Sequence, residues 1–155
     1  MKLRELRADE TKLLEDFLYE AIFIPKGVEP PDKRIIEQPE LKLYYENFGS
    51  MAGDHCIVAD CEGKVVGAVW TRIMKDYGHV DDETPSFAIS LYKEYRGLGY
   101  GTKMMQAMLE LLRSNGYKKA SLAVQKANYA VRMYQKVGFE IVDENEEEFI
   151  MVCRL

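Results

Sequence analysis

A glycine-rich segment, residues 94–102, is the feature that most constrains how this chain folds. It follows the apolar run 87–92, which predicts a strand, and precedes a stretch whose apolar residues recur at helical spacing. That apolar stripe consists of Met104, Met105, Met108, Leu109, Leu111 and Leu112. Because the first N–H groups of a helix lack internal partners and carry the positive end of its dipole, a strand-to-helix turn favours an anion. Glycine also lets a phosphate approach the backbone without meeting a Cβ, so the segment predicts a pyrophosphate-binding loop.

The spacing of the glycines argues against the two most familiar nucleotide-binding loops. A dinucleotide fingerprint needs G-x-G-x-x-G and a Walker loop needs G-x-x-x-x-G-K-[ST], whereas Gly97, Gly99 and Gly101 alternate. No Lys-Ser or Lys-Thr pair follows them, and the acidic residue that a dinucleotide fold carries further along is missing. The glycines therefore indicate either another phosphate ligand or a turn that binds nothing.

Composition limits the class of protein and the kind of partner. With 155 residues, 47% of them hydrophobic, the chain predicts one domain, 1–155, with a full core. Its apolar runs are far shorter than the ~20 residues of a membrane span, and the N-terminus lacks a signal-peptide pattern, so we expect a cytoplasmic protein with no membrane partner. A net charge of −5 with scattered basic residues argues against nucleic acid and is compatible with a cationic amine.

Cysteine and histidine form no metal-binding pattern in the sequence. Cys56, Cys61 and Cys153 are odd in number and lack the spacing of metal ligands, and His55 and His79 lie far apart. We therefore expect no bound metal, and free thiols of the kind found in a reducing compartment.

The order of the predicted elements indicates a mixed sheet. From the N-terminus we expect a strand, two helices, three strands, a helix, a strand, a helix and two strands. Asp9 is predicted to cap the first helix, the second should cover residues 39–48, and the last should cover residues 127–137 before Gly138. Because only one or two connections are parallel crossovers, the expected fold is α/β (α+β), a mostly antiparallel sheet of about seven strands flanked by about four helices.

Two segments resemble motifs of the GNAT superfamily of N-acetyltransferases. Residues 96–101, Arg-Gly-Leu-Gly-Tyr-Gly, are similar to its Q/R-x-x-G-x-G/A signature, and residues 128–139 are similar to N-x-A-x-x-x-Y-x-K-x-G-F. Both come in the family's order and at the family's kind of element, and the resemblance extends over residues 57–155. It implies a GNAT-like fold in which a splayed pair of strands admits acetyl-coenzyme A, the co-substrate for acetylation of an amine.

The resemblance also implies roles for particular residues. Backbone groups of Leu91 and Tyr92 would hold the pantetheine arm, and Asn128 would either bond that arm or cap the last helix. The pyrophosphate would be held by Arg96, Gly97, Leu98, Gly99, Tyr100, Gly101 and Thr102. Tyr134 would protonate the departing thiolate, although a core tyrosine would occupy the same apolar stripe.

The general base is where the sequence departs from the family's pattern. Many members carry a glutamate ten or eleven residues before the motif arginine, where this chain has Ser86 and Pro85. We predict Glu83 as the base instead, acting directly or through water. Its rivals in the same loop are Asp81, Asp82 and His79. An alkyl ammonium with a pKa of ~10.4 costs roughly 4–5 kcal/mol to deprotonate at neutral pH, so the reaction needs a base or an acceptor of lower pKa.

The acceptor is predicted from the proline-rich segment 24–31, which should form the wall of its site. A closed aromatic pocket of Phe23, Tyr44, Tyr45 and Trp70 would favour a small-molecule amine, the partner we expect. An open groove would favour a protein N-terminus or a lysine. A non-catalytic coenzyme A-binding module and a ligand-free domain remain alternatives, and the family's tendency to pair makes a homodimer an expectation.

Overall fold

The chain forms seven strands, four α-helices and short turns. A computed structural model describes residues 1–155. In chain order the elements are β1 (Lys2–Glu5), α1 (Leu13–Ala21), α2 (Pro39–Lys42), β2 (His55–Cys61), β3 (Lys64–Arg72), β4 (Ser86–Leu91), α3 (Tyr100–Ser114), β5 (Lys119–Gln125), α4 (Ala130–Val137), β6 (Phe139–Glu144) and β7 (Glu148–Arg154). Short 3-10 helices lie at Ala8–Glu10, Lys33–Glu37 and Lys93–Tyr95. None of the helices has both the length and the apolar character needed to cross a membrane.

The seven strands form one sheet in the order β1-β2-β3-β4-β5-β7-β6. Every neighbouring pair is antiparallel except β4 and β5, which run parallel and are connected through α3. A single crossover in an otherwise antiparallel sheet follows from the order of the elements, because only this pair of strands has a long helix between them. The predicted mixed, mostly antiparallel sheet of seven strands with four helices is confirmed.

Two hydrophobic clusters cover the two faces of the sheet. Side chains alternate along a strand, so in β4 Phe87 and Leu91 join the larger cluster while Ala88 contacts the smaller one. α3 and α4 pack on the face of the larger cluster, and α1 packs on the opposite face. There the Ser90 hydroxyl donates to the carbonyl oxygen of Phe17 at 2.6 Å, which fixes α1 against β4.

The first helix begins later than the sequence pattern predicts, and Asp9 does not cap it. Residues Ala8–Glu10 form a separate 3-10 turn, and α1 starts at Leu13. The turn is held by Arg4, whose two terminal nitrogens donate to the Glu10 carboxylate at 2.8 and 2.9 Å. A contact with β1 therefore separates the turn from the helix.

The second helix is much shorter than predicted, and a buried arginine binds the turns that follow it. The guanidinium of Arg72 donates to the carbonyls of Leu43, Glu46 and Asn47 and to the Asp54 carboxylate. All five N–H groups of the guanidinium are thus paired, as burial requires. Residues 43–49 form successive hydrogen-bonded turns around the arginine rather than a continuous helix.

The parallel strands β4 and β5 separate almost as soon as they meet. Their one register pair is Ser86 with Ser121, and the N–H of Ser121 donates to the Pro85 carbonyl at 2.9 Å. Beyond that point they form no further pair. The sheet is therefore open along most of β4, and the expected splayed pair of strands is present.

Candidate active site

The gap between β4 and β5 leads into a cavity of about 520 Å³. Side chains from both faces of the sheet line it, because the gap passes through the sheet. The end of α1 and the chain after it contribute residues 20–24, β4 contributes residues 89–91, and the glycine-rich segment and α4 supply the remainder. The cavity brings together the predicted residues Phe23, Leu91, Arg96, Gly97, Gly99, Gly101, Thr102, Asn128 and Tyr134. Leu98, Tyr100 and Tyr92 do not line it, and Leu98 is 60% exposed to solvent.

The three glycines of the loop serve two different purposes. Gly97 and Gly99 have φ angles of +75° and +83°, which only glycine adopts without strain, and a Cβ at either would meet no atom within 4 Å. The backbone of these two residues is therefore open to a ligand. Gly101 lies instead where α3 approaches α4, since a Cβ there would be 3.2 Å from the Met133 sulfur.

The N-terminus of α3 opens onto the cavity without a capping side chain. Gly99 occupies the N-cap position, where it offers no side-chain acceptor, and the first turn contains no acidic residue. The first N–H groups of this 15-residue helix consequently lack partners, and the dipole adds positive potential at the same place. The Thr102 hydroxyl lines the cavity beside them. These donors fit the diphosphate of a coenzyme A molecule.

Arg96 connects the loop to both neighbouring elements. Its Nε donates to the Leu91 carbonyl at 2.9 Å, and its Nη2 donates to the Glu20 carboxylate at 3.1 Å. The guanidinium thereby joins the end of β4, the end of α1 and the start of the glycine loop. It remains partly exposed at the edge of the cavity, where its charge can also face an anion.

The backbone groups of β4 that face the cavity belong to Ile89 and Leu91. Tyr92 has no free backbone group, because its N–H donates to the Val66 carbonyl and its carbonyl accepts from the N–H of Tyr95, both at 2.9 Å. Since backbone polarity alternates along a strand, the N–H and C=O groups of Ile89 and Leu91 point away from β3 and toward the gap. Of the two residues predicted to offer backbone groups, Leu91 therefore faces the gap and Tyr92 does not, whereas Ile89, which the sequence prediction did not include, does.

Tyr134 lies on α4 with its ring in the larger cluster and 8% of its surface exposed. Its hydroxyl makes no hydrogen bond with the protein, yet no side-chain polar atom is both buried and unpartnered, so the hydroxyl opens onto the cavity. Burial raises the pKa of this phenol to about 12. The hydroxyl therefore stays protonated at physiological pH and is available as a proton donor.

Asn128 holds the start of α4. Its side-chain oxygen accepts from the N–H of Ala130, the first residue of α4, at 2.9 Å, although Tyr129 and not Asn128 occupies the N-cap position. The same side chain lines the cavity, so its amide nitrogen is placed to donate to a ligand. The two contacts are compatible.

The predicted base and its rivals lie away from the cavity. Glu83 is an exposed residue in the turn before β4, and its N–H donates to the carboxylate of Asp81. Asp81 is itself engaged, because it accepts from Thr84 and Lys119, and these hydrogen bonds lower its pKa to about 2. His79 contacts the Met74 carbonyl and the exposed Asp82. None of these side chains lines the cavity.

The predicted aromatic pocket does not form. Trp70 is completely buried in the smaller cluster, where its indole N–H donates to the Tyr44 carbonyl at 2.9 Å. Tyr44 and Tyr45 donate their hydroxyls to Asp76 and to the Ile36 carbonyl. Of the four predicted aromatic residues, Phe23 alone lines the cavity. The alternation of β3 turns Trp70 toward α1, a direction that the aromatic composition did not reveal.

The structure contains no group of three or more His, Cys, Asp or Glu side chains arranged to hold a metal ion. All three cysteines are free, and Cys56 and Cys153 are buried.

Comparison with known proteins identifies the family of this fold. The sequence model of the Acetyltransferase (GNAT) family matches residues 17–139. A probable N-acetyltransferase named camello from Xenopus tropicalis is 36% identical over 102 residues, which cover 63% of this chain and 44% of that protein. The chain thus spans less than half the length of this relative.

Two further comparisons cover a larger share of the protein that is compared with this chain. N-alpha-acetyltransferase 30 of Schizosaccharomyces pombe is 28% identical over 107 residues, or 67% of this chain and 69% of that protein. The crystal structure of the PaiA N-acetyltransferase from Thermoplasma acidophilum, in complex with coenzyme A, superposes with a TM-score of 0.72. That comparison covers 99% of this chain and 98% of the other at 17% identity, so it supports the fold.

Proposed function

Because this chain belongs to the GNAT family of acetyltransferases and is therefore an acyltransferase, we propose that it transfers the acetyl group of acetyl-coenzyme A to a primary amine. One observation carries the proposal. An uncapped helix N-terminus and a protonated tyrosine open onto the same cavity between β4 and β5. Acetyl transfer from a thioester uses both groups, one for the diphosphate and one for the departing thiolate.

Each group of the chain has a distinct task in this reaction. The N–H groups at the start of α3 and the Thr102 hydroxyl hold the diphosphate. The N–H of Ile89 points into the gap and donates to the carbonyl oxygen of the thioester, where negative charge develops. Tyr134 gives its proton to the thiolate as the C–S bond breaks. Because the phenol has a high pKa and a thiol ordinarily ionises near ~8.5, the transfer has to be concerted with bond breaking.

Direct attack of the amine is favoured over an acyl-enzyme. No cysteine lines the cavity, and burial raises the pKa of the Cys153 thiol, which makes it a poor nucleophile. The protein's contribution is to hold amine and thioester together, and such alignment can supply roughly 7–11 kcal/mol of the barrier.

We propose that the acceptor is a primary amine. The sequence predicts that this amine belongs to a small molecule. A peptide α-amino group is the second candidate, and two observations favour it. The four aromatic residues whose closed pocket would favour a small amine do not line the cavity together, since Trp70 is buried and both tyrosines are engaged in hydrogen bonds. A relative bears the name N-alpha-acetyltransferase. An α-amino group, with a pKa of ~7.7–8.0, also costs less to deprotonate than an alkyl ammonium.

Thiol release from acetyl-coenzyme A across a panel of acceptors tests the proposal. The panel comprises spermidine, phenethylamine, free amino acids and a short peptide beginning with alanine, with the N-terminally blocked form of that peptide as its matched control. Turnover on spermidine or phenethylamine would support a small-molecule acceptor. Turnover on the free peptide but not on the blocked one would support an α-amino acceptor.

Two outcomes of this assay would contradict acetyl transfer. Tight binding of coenzyme A without thiol release on any acceptor would favour a non-catalytic binding module. Failure to bind acetyl-coenzyme A at all would leave a domain without this ligand.

A further inference from the structure

The loop between β3 and β4 brings a carboxylate to the point where the two parallel strands separate. Ser86, the first residue of β4, donates its hydroxyl to the Asp76 carboxylate at 3.0 Å. The same serine forms the last register pair with Ser121 before the gap opens. Asp76 therefore lies at the closed end of the gap, although ten positions of sequence separate it from Ser86.

A hydrogen bond and the packing of its loop hold the Asp76 carboxylate in one place. The hydroxyl of Tyr44 donates to its second oxygen at 2.8 Å. Gly78, two residues later, lies so close to β5 that a Cβ there would be 3.0 Å from the backbone nitrogen of Ala123 and 3.2 Å from the Ser86 hydroxyl. The loop thus rests directly on the sheet at the separating strands, and the direction of the carboxylate is set from two sides.

Asp76 and Tyr134 lie on opposite faces of the sheet. Ser86 has the parity of Ala88 and Ser90, which face α1, whereas Tyr134 belongs to the cluster of Phe87 and Leu91 on the other face. An amine entering from the side of α1 would meet Asp76, while the thiolate would depart toward Tyr134. The proposed base and the proposed acid therefore lie on different faces of the sheet.

No cation faces the Asp76 carboxylate. The groups facing it are the Tyr44 hydroxyl from the segment after α2, the Ser86 hydroxyl from β4 and the Glu148 carboxylate from β7. Backbone N–H groups of Asp76 itself and of Gly78 also donate to it. Burial raises the pKa of Asp76, and the hydrogen bonds from Tyr44 and Ser86 act in the opposite direction. Burial, with a smaller contribution from Asp76, also raises the pKa of Glu148. A carboxylate in such surroundings is a stronger base than a solvated one and gains from an approaching ammonium.

We propose that Asp76 is the general base of this enzyme, the group that removes the proton from the acceptor ammonium. This inference rests on the proposed acetyl transfer. Along β4, Ser86 and Ile89 are separated by three residues, about 10 Å at ~3.3 Å per residue. Asp76, like Glu83, is not among the residues that line the cavity, so an amine held beside Ile89 passes its proton to Asp76 through water at the Ser86 end of the gap.

The proton and bond changes balance with these two residues. The ammonium gives one proton to Asp76, and the free amine forms a C–N bond with the thioester carbonyl carbon. When the C–S bond breaks, Tyr134 protonates the sulfur. The remaining surplus proton on the nitrogen returns through water to the tyrosine oxygen. Asp76 then releases its proton to solvent, so the net products are the amide, the free thiol and one proton.

Substitution of Asp76→Asn tests the assignment. Asparagine has nearly the same shape, and its one carbonyl oxygen, placed where the second carboxylate oxygen lies, is within reach of both the Tyr44 hydroxyl at 2.8 Å and the Ser86 hydroxyl at 3.2 Å. The fold and the affinity for acetyl-coenzyme A should therefore be kept. With spermidine or the alanine-initiated peptide, whichever the wild type acetylates, we expect kcat/KM to fall about 10²-fold or more. Hydroxylamine, whose nitrogen is already unprotonated at neutral pH, should be acetylated by Asp76→Asn at nearly the wild-type rate.

Glu83→Gln is the rival variant in the same assay, because Glu83 is the base that the sequence predicts. A loss with Glu83→Gln and none with Asp76→Asn would overturn the proposal. Equal losses of Asp76→Asn on hydroxylamine and on the ammonium acceptor would also overturn it, because they would make Asp76 a structural residue. A wild type that acetylates hydroxylamine but no ammonium acceptor would overturn it as well.

Ser86→Ala provides a second test that does not depend on the asparagine variant folding. Since the serine hydroxyl lowers the pKa of Asp76, its removal should move the acid limb of the kcat/KM profile to higher pH without abolishing turnover. An unmoved acid limb would contradict the role of Asp76. If the wild type releases no thiol even with hydroxylamine, acetyl transfer itself fails, which is a different result from the failure of Asp76 alone.

Discussion

Tyr134 combines a buried ring with a hydroxyl that makes no hydrogen bond with the protein. Removal of that hydroxyl in Tyr134→Phe leaves no partner unsatisfied, so we expect an unchanged free energy of unfolding and an unchanged KM for acetyl-coenzyme A. If the phenol is the acid, kcat should fall about 10²-fold. Steady-state thiol release and urea unfolding measure the two quantities.

Tyr117→Phe is the matched control for this variant. The Tyr117 hydroxyl donates to the Ala52 carbonyl and contacts His55, away from the cavity. Its loss should cost about 1 kcal/mol of stability and leave kcat unchanged. Equal kcat for Tyr134→Phe and wild type would reduce Tyr134 to a core residue.

Glu10 makes the stability of the chain depend on pH. Side-chain hydrogen bonds from Arg4 lower the pKa of Glu10 from its ordinary 4.5 to about 2. The folded state therefore binds this proton less readily than the unfolded state does. The stabilisation is complete above about pH 4.5 and is lost as the pH falls toward 2.

Urea unfolding at a series of pH values checks this dependence. The stability difference between wild type and Glu10→Gln should be largest at neutral pH and shrink across that acidic window. Glu146→Gln, at an exposed position in the β6–β7 turn, should show no such trend. A difference that is independent of pH would mean that the ion pair with Arg4 does not form in solution.

At the scale of single elements, a glycine with a left-handed backbone lies at each end of α3. Substitution of the two allows the cost in backbone strain to be measured separately from the effect on ligand binding. Gly99, at its N-terminus, has φ +83°, and Gly116, just beyond its C-terminus, has φ +86°. A Cβ at either position meets no atom within 4 Å, so alanine should cost each about 1–2 kcal/mol in backbone strain alone. Only Gly99 lines the cavity.

We therefore expect Gly99→Ala and Gly116→Ala to lose similar stability but to differ in ligand affinity. Calorimetric titration with acetyl-coenzyme A should give a weaker dissociation constant for Gly99→Ala and a wild-type value for Gly116→Ala. Equal affinities in the two variants would argue that the loop does not hold the diphosphate.

For the whole molecule, the sheet lacks hydrogen bonds at its centre, because β4 and β5 form only one register pair before they separate. A ligand that fills the gap and binds only the folded chain stabilises it by about 2.7 kcal/mol at a hundredfold excess over its dissociation constant. Saturating acetyl-coenzyme A should therefore raise the melting temperature by several degrees. NAD, whose fingerprint the glycine spacing does not match, is the control and should produce no shift. A shift with NAD alone would contradict the spacing argument.

Local patterns predicted most of the helices and strands, because the residues that determine each element lie close together in the sequence. The helical stripe after Gly101, the hairpin of β2 and β3 and the left-handed Gly138 at the end of α4 all follow from spacing and turn chemistry. The predicted bounds of an element were wrong where a residue from a distant part of the chain contacts it. The second helix stops early, and the turns after it are bound by Arg72, which is some thirty positions later in the chain.

The residues of the candidate site also differ in whether a local sequence motif or a long-range contact places them. The glycine loop, Asn128 and Tyr134 could be named from the sequence because each belongs to a contiguous motif, and their roles stay predictions until the variants are measured. Ile89 and Asp76 could not be named. The first depends on which strand separates from which, and the second depends on a loop that folds back over β5.

The sequence by itself determined the family, the order of the elements and the glycine turn that opens α3, because periodicity and glycine placement act over short range. The tertiary structure alone decided where β4 and β5 separate, which backbone groups face the gap, and which carboxylate lies beside it. Those features arise from contacts between residues far apart in the chain, such as Asp76 with Tyr44 and Arg72 with Asp54. Their geometry exists only after the sheet has formed.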